Sequence, residues 1–143
     1  MEPLSVPGDL ESLRPIGQYV MAAAAEAGLS KSAAYKLRLA VDEIVTNIVV
    51  HGYEEAGRAG NVDMHTEIDD QALRLTVEDT AAAFDPYQIP RPSDLDKPLE
   101  ERQIGGLGVY LAIDSVDEFK YERDGDRNRN IFVVNREAGE SHG

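Results

Sequence analysis

The apolar positions of this chain change period along its length, and the period indicates the element. Between Ser30 and Gly52, the residues Leu37, Val41, Ile44, Val45 and Ile48 recur at spacings of three and four, which marks one face of a helix. Leu39, Ala40, Val49 and Val50 carry apolar character around the rest of that helix and predict burial on more than one side. Ser30 is the predicted N-cap, and Gly52 lies just beyond the expected end at His51. An earlier helix is predicted from Asp9 to a stop at Gly28. Asp9 is its candidate N-cap, Glu11 lies in its first turn, and Pro15 delays its regular part.

Farther on the period falls to two. The stretches VDMHTEI and ALRLTVE, joined by Asp69, Asp70 and Gln71, predict an antiparallel hairpin, and EFKYER and NIFVVN predict a second pair flanking the turn DGDRNRN. Between the two pairs, Asp79 to Gly108 shows no clean period and holds four of the seven prolines. Long loops of this kind are functional lids or disordered linkers, and residues 85–104 are read as a lid. A short helix, VYLAIDSV, is expected after the glycines, and residues 137–143 read as a frayed tail. The order α, α, β, β, loop, α, β, β predicts one α+β domain over 1–143. Its architecture is a two-layer sandwich, with helices on one face of a mainly antiparallel sheet.

Composition narrows the function. The 143 residues suffice for one core, and 27 acidic against 14 basic side chains leave a net charge of -13. Phosphate backbones and anionic membrane surfaces repel such a chain, so neither nucleic acid nor membrane is an expected partner. No cysteine is present and no run of about 18 apolar residues occurs, which fits a soluble cytoplasmic protein. His51, His65 and His142 lack metal-ligand spacing, no serine sits in a Gly-x-Ser-x-Gly elbow, and nothing selects a glycosidase-like carboxylate pair.

Three segments remain as candidates for chemistry. Glu43 and Asn47 are one helical turn apart on a single face, with Glu43 about 200° around the axis from Val41. They form either a solvated edge or, since their neighbours are apolar, a polar pair that needs a cleft with a metal and a nucleotide. Asp79 ends a predicted strand and precedes Thr80, three alanines, Phe84, Asp85 and Pro86. It is either a turn former or a carboxylate that accepts a hydrogen bond from an exocyclic amine such as that of adenine, with apolar residues packing on the ring. The run Gly105, Gly106, Leu107, Gly108 precedes a predicted helix. It makes a tight turn, or its backbone N–H groups hold phosphate oxygens.

In this order the three segments resemble the ATP-binding domain of the anti-sigma factor serine kinases, within the GHKL ATPase superfamily, over roughly Leu37 to Val134. LRLAVDEIVTNIVVHGY is similar to the family's N-box, with Glu-x-x-x-Asn and a closing His-x-Tyr. VEDTAAAFDP is similar to its Asp-x-Gly box, and GGLGVYLAIDSVDEFKYERDGDRN to its second glycine box, helix and hairpin. The resemblance implies ATP as substrate and Mg²⁺ held by Asn47. It further implies Glu43 as base or orienter of the attacking hydroxyl, Asp79 with Ala81 and Phe84 at the adenine, and Gly105, Gly106, Leu107 and Gly108 closing over the phosphates. It implies a small STAS-type anti-sigma factor antagonist as phosphate acceptor, a sequestered sigma factor as second partner, and room for a homodimer. Ala81 departs from the pattern, because the box has glycine there. A positive φ or a close approach to adenine at that position would make the methyl group costly. The rival readings are a non-catalytic module of the same fold that sequesters a protein partner, and a detached sensor-kinase ATP domain.

Overall fold

The computed structural model describes residues 1–83 and 114–136. Asp9 caps a short 3₁₀ turn, Leu10–Ser12, by accepting from the Ser12 N–H at 3.2 Å, and this turn feeds α1, Leu13–Glu26. Pro15 therefore sits in the first turn of the α-helix, where its missing N–H is not needed. Gly28, with φ +72°, ends the helix as expected, because a left-handed residue there is cheapest without a side chain. Ser30 then caps α2, Lys31–Asn47, through the Ala33 N–H at 3.1 Å.

The strands are β1 Leu4–Pro7, β2 Asn61–Ile68, β3 Ala72–Asp79, β4 Glu118–Asp124 and β5 Arg127–Asn135. They form one antiparallel sheet in the order β1-β2-β3-β5-β4. Both predicted hairpins are present. β1 carries no sequence signal because it is four residues long, lies at the sheet edge and buries only Val6. The turn between β4 and β5 is tighter than the polar run DGDRNRN suggests. It closes at Gly125, φ +62°, and β5 begins three residues before the predicted Asn130.

α1 and α2 pack on one face of the sheet. Ile16 and Val20 from α1 and Leu37, Val41, Ile44 and Val45 from α2 meet Val62, Met64, Leu73, Leu75, Val77 and Phe132, all fully or nearly fully buried. Phe119 and Phe132 stack edge to face with centroids 5.1 Å apart, joining β4 to this core. The predicted stripe of α2 faces inward as expected, but Leu39 does not extend it and remains 46% exposed. Five of the eight residues of VYLAIDSV fall outside the described residues, and the tail 137–143 does so entirely.

Candidate functional site

The regular α-helix stops at Asn47. The chain continues as a π-helical stretch, Ile48–Glu54, with five-residue hydrogen bonds from the Glu55 N–H to Val50 O and from the Arg58 N–H to Tyr53 O. Such insertions favour functional positions because they shift every later side chain out of α-helical phase. Here the shift turns Tyr53 fully inward and leaves His51 at the surface beside Glu55, 2.8 Å away.

Asn47 is enclosed, with 6% exposure, so it is not a solvated edge. Its Nδ2 donates to the Glu43 carbonyl at 2.8 Å, which fixes the amide plane and reserves Oδ1 for another partner. A single buried neutral oxygen suits Mg²⁺, which keeps water and phosphate oxygens as its other ligands. Glu43 is half-buried one turn earlier, and its carboxylate has no hydrogen bond or ion pair among the described residues.

Asp79, at the end of β3, is almost fully buried. Its Oδ1 accepts from the Ala81 N–H at 2.9 Å and from Asn128 Nδ2 at 2.8 Å, whereas Oδ2 is sealed from solvent without a partner. Burial pushes this carboxyl above the usual carboxylate range. The hydrogen bonds from Asn128 and Ala81 and the charges of Arg123 and Arg127 only partly offset that push. A small recess lies beside Asp79, lined by Ile44, Ile48, Asp79, Ala81, Ala82, Asn128 and Asn130. Glu43 and Asn47 do not line it, but they are the chain neighbours of Ile44 and Ile48, which do. The recess is therefore walled by apolar groups from α2 and floored by polar groups from β3 and β5.

Among the described residues none other than glycine has a positive φ, so Ala81 needs no glycine on conformational grounds. Its methyl occupies the space over Gly52, where an added Cβ would lie 2.7 Å from the Ala81 Cβ. Of the two conflicts expected at Ala81 the positive φ is absent, while the methyl itself lies in the lining of the recess.

Sequence reasoning missed Tyr53 as a fastener and both inward asparagines of β5. The Tyr53 hydroxyl donates to Asn61 O at 2.7 Å and accepts from the Thr80 N–H at 3.0 Å, tying the π-helical stretch to the segment after Asp79. Gly60 and Gly8 leave room for its ring, since a Cβ on Gly8 would sit 2.6 Å from it. Asn128 is a clamp: Nδ2 also donates to Ala81 O at 3.0 Å and Ala82 O at 3.3 Å, and Oδ1 accepts from Tyr121 and Arg123. The one available signal was inverted, because two asparagines in a charged run read as a turn. Phe84, Gly105, Gly106, Leu107 and Gly108, together with the expected lid over 85–104, lie outside the described residues.

Residues 6–133 match the family model of the histidine kinase-like ATPase domain. The chain belongs to the histidine kinase-like ATPase family. Within that family it is 28% identical over 119 residues to the serine-protein kinase RsbW of Staphylococcus aureus, covering 80% of this chain and 74% of that protein. Among solved structures, the RsbU and RsbW domains of a Mycobacterium tuberculosis protein align with TM-score 0.58 and 18% identity over 94% of this chain. The alignment covers 32% of that longer chain. The histidine kinase domain of a blue-light-activated kinase from Erythrobacter litoralis aligns with TM-score 0.56 and 19% identity, covering 90% of this chain and 61% of that one. These two likenesses establish the two-layer ATPase fold. Among the described residues no helix is long and apolar enough to cross a membrane.

Proposed function

We propose that this protein is an ATP-dependent protein serine/threonine kinase of the anti-sigma factor type. In this reading it phosphorylates a small STAS-type antagonist and regulates a sigma factor by partner switching. The observation that carries the proposal is the buried, half-partnered carboxylate of Asp79 beside a recess that adjoins the helix of Glu43 and Asn47. A buried acceptor of this kind calls for a donor, and the exocyclic amine of adenine supplies one. Ile44 and Ile48 would pack on the ring from the helix side. With the base so placed, the triphosphate is directed past Asn47, whose pinned amide presents its oxygen.

Mg²⁺, when bound at Asn47, neutralises phosphate charge and fixes phosphate geometry. Glu43 orients the acceptor hydroxyl and takes its proton as the oxygen bonds to the γ-phosphorus, while the bond to the β-phosphate oxygen breaks and ADP leaves. The glycines Gly105, Gly106 and Gly108, with Leu107, complete the phosphate side in this reading, and Phe84 adds an apolar contact to the base. The reading without turnover was favoured by Ala81; the ordinary φ there removes the conformational part of that objection, and the retained Glu43 and Asn47 favour the enzyme.

The test is transfer of labelled phosphate from ATP with Mg²⁺ to antagonist domains encoded in the same genome. Glu43→Gln should retain nucleotide affinity and transfer about 10²- to 10⁴-fold more slowly. Transfer at the parental rate would remove Glu43 from the mechanism, and no transfer by the parent to any antagonist would reject the kinase reading.

A further inference from the structure

The outward face of α2 is at odds with the rest of the chain. Tyr35 and Leu39, one turn apart, are 60% and 46% exposed, although the same helix buries its other large apolar side chains. No acidic residue occurs between Glu26 and Asp42, whereas Lys31, Lys36 and Arg38 do, in a chain of net charge -13. Lys31 and Lys36 have no ion pair or hydrogen bond among the described residues, and Arg38 comes no nearer to Asp42 than 3.9 Å. Lys31 stands in the first turn, where the helix dipole opposes a positive charge, so it costs the helix stability.

This face also leads somewhere. Residues four apart on an α-helix wind about 40° around its axis at each step. The row Tyr35, Leu39, Glu43, Asn47 accordingly passes from the surface, through half-buried Glu43, to enclosed Asn47. Each step advances about 6 Å, so Tyr35 stands about 12 Å along the helix from Glu43, a span that about four extended residues of a bound segment cover.

We propose that Tyr35 and Leu39, flanked by Lys31, Lys36 and Arg38, form the docking ridge for the phosphate-acceptor protein, whose matching surface is apolar at its centre and acidic at its rim. This inference rests on the kinase reading above and adds the surface that holds the acceptor. A partner seated on the ridge has its hydroxyl brought to Glu43 by the same helix that presents the Asn47 oxygen. Nucleic acid and anionic membranes also suit basic side chains, but the remaining charge of the chain repels both.

Calorimetry and steady-state transfer with an antagonist domain encoded in the same genome test it. Tyr35→Ala combined with Leu39→Ala should weaken antagonist binding and raise its KM about five- to tenfold, leaving kcat and ATP affinity within about twofold. Lys31→Glu combined with Lys36→Glu should weaken binding about threefold at low salt and less at high salt. All four side chains are exposed, so thermal melts should stay near that of the parent. Unchanged antagonist affinity in the Tyr35 and Leu39 double variant overturns the ridge, while parental transfer preserves the kinase reading. Binding that ignores both salt and the lysine changes overturns the acidic rim. Lost self-association on sedimentation, with antagonist affinity intact, makes the occupant a second copy and overturns the proposal. Antagonist binding by the parent without transfer rejects the kinase reading, and the affinities of the variants still decide the ridge. Neither binding nor transfer by the parent overturns both.

Discussion

Asp79 is ionisable, buried and only half supplied with partners, so its charge works against folding. Because burial raises its pKa above the unfolded value, folding is favoured by the protonated form. This carboxyl's unfavourable contribution is absent in acid and grows as pH climbs through its raised pKa. Asp79→Asn keeps an oxygen for the Ala81 N–H and Asn128. It should raise stability by about 1 kcal/mol at neutral pH, with the gain vanishing in acid, while abolishing measurable ATP binding. Denaturant melts across pH, paired with titration, check both halves. Ala81 provides the converse case, a departure from the family pattern that the structure accommodates. Ala81→Gly should leave ATP affinity within about twofold and cost about 1 kcal/mol of stability, from the lost methyl burial and the freer unfolded chain. Gly52→Ala should be strongly destabilising by itself and partly rescued by Ala81→Gly, because the two Cβ atoms compete for one space. A thermodynamic cycle over the four proteins measures that coupling.

At the scale of elements, the site depends on how α2 ends. An α-helix extrapolated through Asn47 would aim Tyr53 elsewhere; the π-helical stretch brings it under β2 and β3, where its hydroxyl bridges Asn61 and Thr80. The segment Thr80–Ala81 is then held from two directions, by Tyr53 on one side and by Asn128 on the other. Tyr53→Phe should cost about 1–2 kcal/mol, since it leaves the Thr80 N–H and Asn61 carbonyl without this partner. It should also weaken ATP severalfold by loosening the wall of the recess. Thermal denaturation and titration of one preparation report the two effects, and a stability loss with unchanged affinity would make the fastener purely structural.

Over the whole molecule, the sheet face opposite the helices carries its own cohesion. Arg127 of β5 reaches Glu78 of β3 and Asp63 of β2, each at 2.9 Å, and Arg129 joins Glu78 to Glu122 of β4. Ser5 of β1 donates to Asp63, so the network crosses all five strands. Burial pushes Glu78 upward, but Arg127 and Arg129 outweigh it and hold the carboxyl below its ordinary value. Asp63 is likewise lowered, with Ser5 and Arg127 prevailing over burial. Because both folded pKa values are depressed, the stabilisation is complete above the unfolded values near pH 4 and fades as pH falls below them. These groups are partly exposed, so Arg127→Ala should cost only about 0.5–1 kcal/mol, less in high salt, with the deficit closing in acid. Urea melts at pH 7 and pH 3, with and without salt, check the magnitude and the sign.

Periodicity and cap residues were enough to determine α1, α2, both hairpins, the α+β sandwich and the caps at Asp9 and Ser30, because burial against one layer imposes period 3.6 or 2 locally. Short motifs also marked Glu43, Asn47 and Asp79 as candidates, since buried polar residues among apolar neighbours are unusual enough to stand out. Tertiary structure alone decided the rest. β1 is an edge strand with one inward side chain, and its existence depends on β2 lying beside it. Asn128 and Asn130 are polar residues on the inner face of a strand, and local preference assigns them to a turn. Their placement opposite Asp79 and Val77 turns both inward, and the partners there make the inward Asn128 favourable. The compatibility of Ala81 with the site could not be read from its own segment either. It depends on Gly52, 29 positions earlier, leaving empty the volume that the Ala81 methyl fills, and steric exclusion between residues so far apart in sequence exists only once the chain is folded.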